Sequence, residues 1–176
     1  MTSRIFNLRL FAVTVSLMTA LSLCQAQDAQ MMGSLIGQSL SQLQEDSSPE
    51  AFQNCVAQLK RIDAMYPGHA APKYYTALES LNFAVMNPQA EQTESMIAEA
   101  QQAISQLEEL PDTDQSDLCT LKGFLYMVRI VQNPAVNGQR YYLDVMNYYE
   151  KALKHNPDNQ LAKQLQQKFF EGMNQR

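Results

Sequence analysis

Tryptophan is absent from the 176 residues, histidine occurs twice, cysteine three times and glycine only six times. Each shortage excludes something. His69 and His155 stand far apart in sequence, and neither has a second histidine or a cysteine at ligand spacing, so no zinc site is expected. Glycine this scarce leaves no phosphate-cradling loop and no G-x-S-x-G nucleophile elbow, and no zincin helix is present either. Glu108 and Glu109 are adjacent, and neighbours on a helix point about 100° apart, so they cannot share one substrate. Asp112, Asp114 and Asp117 look like part of a calcium loop. Its sixth position would be Asp117 rather than glycine, and its twelfth Gly123 rather than glutamate, so helix capping is the better reading. No catalytic residue, metal or cofactor is therefore assigned. No segment alternates apolar and polar residues with β-branched side chains, so strands are not expected.

Long hydrophobic runs are also missing, except near the N-terminus. Arg4 and Arg9 form a short basic region, and an apolar run follows from Leu10 to Leu23, broken by Thr14, Ser16, Thr19 and Ser22. A bilayer span needs ~20 apolar residues, and this run is shorter. Cys24-Gln25-Ala26 offers small residues where a signal peptidase reads them, so residues 1–26 read as a secretory signal and 27–176 as the mature domain. The chain is thus expected to be exported, to the periplasm or beyond the cell, with no transmembrane segment after cleavage. Leu21-Ser22-Leu23-Cys24 also looks like a lipoprotein box, but Leu23 stands where that box takes a small residue, which makes lipidation of Cys24 the minor reading. Cys55 and Cys119 remain. An exported chain could pair them, but they sit on helices expected not to be neighbours, and a bridge needs alpha carbons within ~7 Å. Buried free thiols are the simpler reading, with a disulfide still open.

Basic residues are few. Without Arg4 and Arg9 the chain carries 11 bases against 18 acids, a net charge of −7, which argues against nucleic acid as a partner. The charge is uneven. Glu79 to Asp117 holds nine acids and no lysine or arginine, whereas Phe124 to Arg176 holds seven bases and four acids. Such polarity fits an acidic face for a cationic partner, head-to-tail contact between copies, or solvated helix faces.

What is abundant is apolar spacing at helical period. Met32, Leu35, Ile36, Leu40 and Leu43 outline a helix over about 29–44. Ser48-Pro49 caps and opens a second, lined by Phe52, Val56, Leu59 and Ile62 and ended at Tyr66-Pro67-Gly68. A third runs over about 71–86, with Tyr74, Ala77, Leu78, Leu81 and Val85 on one side. A fourth covers about 89–110, with Met96, Ala100, Ala103, Ile104 and Leu107, and Pro111 closes it. Aspartates of the Asp112–Asp117 stretch cap a fifth helix that reaches about Val131. Asn133–Gly138 reads as a loop, followed by helices over about 139–155 and 159–170. The tyrosine pairs 74–75, 141–142 and 148–149 should each put one ring on the core and one on the surface.

The last of these helices carry a repeat signature. In YYEKALKHNPDN and the residues before it, Val145, Tyr149, Ala152 and Pro157 keep the spacing of the second helix of a tetratricopeptide unit and its stop. Gly123 and Tyr126 match the G-x-x-Y of the first helix, although Cys119 and Lys122 depart from the pattern. From Gly123 to Val145 is 22 residues, about ten more than the standard unit, an excess assigned to the Asn133–Gly138 loop and longer helices. Ala77, Ala100, Ala103 and Pro111 suit a middle unit, and Leu59, Ile62 and Pro67 a degenerate first one. With LKRIDAMYPGHAAPKYYTALE (59–79) and LCTLKGFLYMVRIVQNPAVNGQRY (118–141), the chain resembles small exported tetratricopeptide-repeat proteins of Gram-negative bacteria over nearly all of 27–176.

The resemblance implies an all-α fold, a right-handed stack of about three antiparallel helix hairpins. A terminal helix would shield the last hairpin with Leu161, Leu165 and Phe169. It also implies a non-catalytic scaffold that binds a protein or peptide in the bacterial envelope. By repeat register, Tyr74, Leu78 and Leu81 on the third helix and Thr120, Phe124 and Met127 on the fifth would face the groove. The lysine and asparagine set with which some relatives clamp a peptide carboxylate is missing, which favours an apolar or helical ligand. Equally, these six side chains could pack against flanking helices of a short stack. The competing functional readings are a self-associating structural subunit of the envelope, joined through its acidic middle and basic end, and an enzyme without a recognisable motif.

Overall fold

A computed structural model of the protein describes residues 27–174, which form seven helices and, among the described residues, no strand. Residues 27–45 form α1, followed by α2 (Pro49–Met65), α3 (Ala70–Met86), α4 (Thr93–Glu109), α5 (Gln115–Gln132), α6 (Pro134–His155) and α7 (Gln160–Asn174). The expected signal segment and Cys24 lie outside the described residues. Among those described, no helix is long and apolar enough to cross a membrane. The chain divides into two compact units after Gln38. In the first, Met32 and Ile36 are buried and Met31 is exposed. The second begins at Ser39 and holds α2 to α7.

Local chemistry explains the helix starts. The Ser48 hydroxyl accepts from the Ala51 amide at 3.2 Å with Pro49 in the first turn, and Asp114 accepts from the Asp117 amide at 2.9 Å. Both satisfy amides that a helix leaves unpaired at its start. The Asp112–Asp117 stretch thus supplies the cap of α5, as its spacing indicates.

α7 runs four residues past the expected Phe170, and two further boundaries differ from the sequence reading. Asn133–Gly138 is not a loop. Asn133 ends α5 and caps α6 at once, its side chain accepting from the Val136 amide at 3.3 Å, and Pro134 opens the helix. The Asn137 side chain donates to the Arg129 carbonyl at 2.7 Å, and Gly138 has no positive φ, so nothing interrupts the helix. Asn-Pro acts here as a cap and first-turn pair rather than a breaker. The residues in excess of a standard repeat extend α6 to 22 residues. In the other case, α4 starts at Thr93 rather than near Gln89. The Ala90 amide bonds to the Asn87 carbonyl and the Thr93 amide to the Ala90 carbonyl, at 3.2 and 3.1 Å, and the Thr93 hydroxyl reaches the Asn87 carbonyl. These bonds hold 87–92 in tight turns.

Consecutive helices pack on one another, with α3 on α4 and α5 on α6 the closest pairs. In addition α3 and α4 both touch α5, and α7 touches α5 and α6. The main core joins Ala77, Leu81, Ile97, Ala100, Leu107, Leu121, Phe124, Val128, Val145 and Tyr149 across α3–α6. Leu165 and Phe169 of α7 belong to it, with Leu161 packed at its edge, as the apolar face of that helix indicates. A smaller cluster seats Phe52 and Val56 of α2 on Phe83 and Met96. A third joins Cys119, Ala152 and Ala162, and apolar area removed from water in each stabilises at roughly 25 cal/mol per Å².

Candidate functional site

The position of α3 and α5 decides what the six expected groove residues can do. Each is flanked on both sides, α3 by α2, α4 and α5, and α5 by α3, α4, α6 and α7. Leu81, Thr120, Phe124 and Met127 are accordingly buried, Leu81 and Thr120 completely. Leu78 is half-buried and packs on the core, and Tyr74 is half-buried at the rim of a cavity. Two of the six border a space a ligand could enter: Tyr74 lines this cavity, and Met127 lines a separate one of about 220 Å³ with Val85, Ile130 and Phe169. The other four sit in or against the core, because a first helix in a short stack has little face to spare.

Around Gly123 the packing is tight. A Cβ there would stand 2.8 Å from Tyr149 Cε1, and Tyr149 is fully buried, its hydroxyl against Met127 Sδ at 3.8 Å. Only glycine lets α6 come this close to α5. The end of the same hairpin is held by a polar group that sequence reasoning missed. Asn159 accepts from the Ala162 amide at 3.0 Å and so caps α7, while its amide donates to Ser116 Oγ at 2.9 Å and Asp117 Oδ1 at 3.0 Å. Ser116 donates in turn to the Ala152 carbonyl at 2.9 Å, and Thr120 to the Ser116 carbonyl at 2.7 Å. The final Asn of HNPDN was the available signal, being a strong cap residue just past a proline turn.

Beside this network lies a cleft of about 310 Å³ between the start of α3, the α4–α5 turn and the start of α5. Ala70, Ala71, Leu107 and Leu118 form apolar walls, and Tyr74 and Tyr75 meet edge to face with centroids 5.2 Å apart. Asp112, Asp114 and Asp117 line the same space. Burial and the neighbouring Asp114 raise the Asp117 carboxyl above its ordinary range, against the lowering bond from Asn159. Burial pushes the Tyr74 phenol up, and the charges of Asp117, Tyr75, Glu79 and Asp114 add to it. The cleft is therefore apolar in its walls and negative in its field. The two tyrosines of this pair are both half-buried, as are Tyr141 and Tyr142; Tyr149 is a core ring, but its neighbour Tyr148 is half-buried too, so no pair divides into one core ring and one surface ring. The reason is that each ring meets a different neighbour: Tyr141 lies on Tyr126, and Tyr142 on Phe169. Tyr126 also stacks on Tyr148 at 5.7 Å, and Lys122 and Lys151 lie over the Tyr148 ring, so this aromatic surface is occupied by its own side chains.

A second cavity, of about 160 Å³ and bordered largely by polar and charged residues, opens between α2, α3 and α4. Lys73, 6% exposed, pairs with Asp63 and donates to the Pro67 carbonyl at 2.7 Å, with the His69 carbonyl at 3.5 Å. Lys60 and Glu99 bridge at 2.6 Å and line the same cavity with Thr76, Gln102 and Gln106. The Thr76 hydroxyl is buried without a hydrogen-bond partner, and so is that of Ser80 one turn later. Such a group costs about 1–3 kcal/mol. A lysine and a threonine on an otherwise apolar helix face were the signal for this cavity, and they pass unnoticed when only apolar spacing is counted.

Cys55 and Cys119 are free and buried. Burial, then the charge of Glu79, pushes the Cys55 thiol up to about 11, and burial raises Cys119 as well. Both shifts lower the share of the reactive thiolate. No family model, curated protein or solved structure matches the chain.

Proposed function

We propose that the protein is a non-catalytic scaffold of the tetratricopeptide-repeat type that binds a segment of another protein in the bacterial envelope, after export on its N-terminal signal. The packing order supports the repeat reading. A hairpin whose first helix touches its own partner, the helix before it and the first helix after it is the arrangement of such stacks, and α3 and α5 both do so. Gly123 beneath Tyr149 supplies the close approach that the unit requires.

The acid–tyrosine cleft is the observation that carries the binding reading. A lysine or arginine side chain of the partner would lay its apolar stem along Ala71, Leu107 and Leu118 and place its cation between the tyrosine rings and the carboxylates. The three aspartates are not grouped to hold a metal ion, which leaves an organic cation as the complement. Cation–π contact contributes ~0.5–2 kcal/mol, and the acidic field adds a salt-dependent attraction.

The test is fluorescence anisotropy with matched labelled peptides, one lysine- and arginine-rich, one glutamate-rich and one neutral, at low salt and at ~0.5 M salt. The basic peptide should bind, bind less at high salt, and lose about five- to tenfold in affinity on Tyr75→Ala. Equal binding of all three peptides, or no loss in the Tyr75→Ala protein, defeats this reading. Sedimentation of the protein alone over the same salt range separates it from self-association through opposed charge, which would show as oligomers that dissociate with salt.

A further inference from the structure

We infer that the partner segment is an amphipathic helix that docks at two points, a lysine or arginine in the acid–tyrosine cleft and, about three turns along, a bulky apolar side chain in a separate cavity at the other end of α3. This rests on the cation-binding reading above and adds a second anchor to it. The apolar cavity, of about 220 Å³, lies where α3, α5 and α7 end, and Val85, Met127, Ile130, Val131, Phe169 and Met173 line it. Among the described residues, the one polar side chain at its border is that of Lys168, an exposed residue of α7. A space with such walls gives water few partners, so an apolar side chain that enters it gives up little and buries much.

The two spaces are placed to be used together. Tyr74 and Val85 are eleven residues apart on α3, a separation of ~16 Å along the helix and about 20° around it. Asp117 and Val131, fourteen residues apart on α5, stand within about 40° of each other. Each pair lies on one side of its helix, so the cleft and the apolar cavity open on the same side of the α3–α5 pair. Leu78, half-buried, falls between Tyr74 and Val85 on that side and carries the apolar track from one space to the other. Charge sets the polarity. Three aspartates line the cleft and Lys168 lines the apolar cavity, so a cation is drawn to the start of α3 and disfavoured at its end. A helical partner matches this layout, because its own residues i and i+11 are separated by the same ~16 Å and the same ~20°. An extended strand covers that reach in about five residues, and its residues i and i+5 point to opposite faces.

Fluorescence anisotropy with the full chain and labelled helical peptides, rich in alanine and glutamine, tests this. One peptide carries a lysine alone, one a phenylalanine alone, one both at i and i+11, and one both at i and i+9, which puts the phenylalanine on the far side of the helix. The i, i+11 peptide should bind about tenfold tighter than the lysine-only peptide, and the i, i+9 peptide no tighter than it. Gly172→Leu should abolish that gain and leave the lysine-only peptide unaffected. A Cβ at Gly172 meets nothing within 4 Å, and leucine suits a helix, so this change fills the mouth of the apolar cavity without straining the fold. Tyr75→Ala should weaken both peptides. If the lysine-only peptide binds and the phenylalanine at i+11 adds nothing, or adds as much in the Gly172→Leu protein, the second anchor is overturned while the cation reading stands. A phenylalanine-only peptide that binds as tightly as the i, i+11 peptide overturns two-point docking. Equal binding of the i, i+9 peptide, or of an i, i+11 peptide with proline at its centre, overturns the helical register. If no peptide binds, this inference and the cation reading fall together.

Discussion

The hairpin of α3 and α4 and the hairpin of α5 and α6 are built alike and finished differently. In the second, each buried polar side chain has a partner: Ser116, Thr120 and Asn159 form one hydrogen-bonded group that ties α5 to α6 and α7. Its helices meet over a glycine, with no room for a methyl group. In the first, Thr76 and Ser80 are buried without partners, Lys73 is buried in an ion pair, and a cavity bordered largely by polar and charged residues lies against the helix. Satisfied polar groups and close packing specify one structure, whereas open cavities and unpaired groups are where a ligand gains most. The well-formed unit therefore serves the fold, and the irregular one is where binding is to be sought.

The largest expected effect lies in the second hairpin. Asn159→Ala removes the cap of α7 and leaves Ser116 and Thr120 short of a donor, and should cost about 2–3 kcal/mol in urea unfolding. A cost under ~0.5 kcal/mol would mean that this network does not hold the hairpins together, and the contrast would lose one side. Gly123→Ala comes next. The added methyl meets Tyr149, which is buried and cannot turn away, so overpacking of about 1–3 kcal/mol should outweigh the gain in helix propensity. A more stable Gly123→Ala protein would show that α5 and α6 can separate freely. The smallest effect distinguishes the two hairpins directly. Ser80→Ala should be neutral or stabilising by up to ~1 kcal/mol, because it deletes an unpaired buried hydroxyl. Ser116→Ala should instead destabilise by ~1–2 kcal/mol. If the two serines respond alike, the difference in their surroundings is of no energetic consequence.

Much of this could be read along the chain. Helix positions follow from the spacing of Phe52, Val56, Leu59 and Ile62, of Met96, Ala100, Ile104 and Leu107, and of Val145, Tyr149 and Ala152, all of which are buried. Ser48 and Asp114 cap where their side-chain chemistry says they should. Asn133–Gly138 misled because Asn, Pro and Gly signal a break and a start equally well, and only the carbonyl of Arg129 within reach of Asn137 settles which. The groove residues were left open between groove and packing for a different reason. Register says which face of α3 or α5 a residue occupies, but not whether another helix covers that face. Leu81, Thr120, Phe124 and Met127 are covered by neighbours far along the chain.

The sequence by itself determined the all-helical character, the order and approximate length of the helices, and the acidic cast of the stretch before Asp117. These follow from local propensity and from periodicity within one turn of helix. Tertiary structure decided which apolar faces are consumed in packing. It brought Tyr74 and Tyr75 against aspartates some forty residues later, and it gathered Asp63 and Lys73 with Lys60 and Glu99 around one cavity. Burial and cavity formation depend on how separate helices approach one another, and that approach is set by pairs such as Gly123 and Tyr149, whose fit has no signature until both are in place.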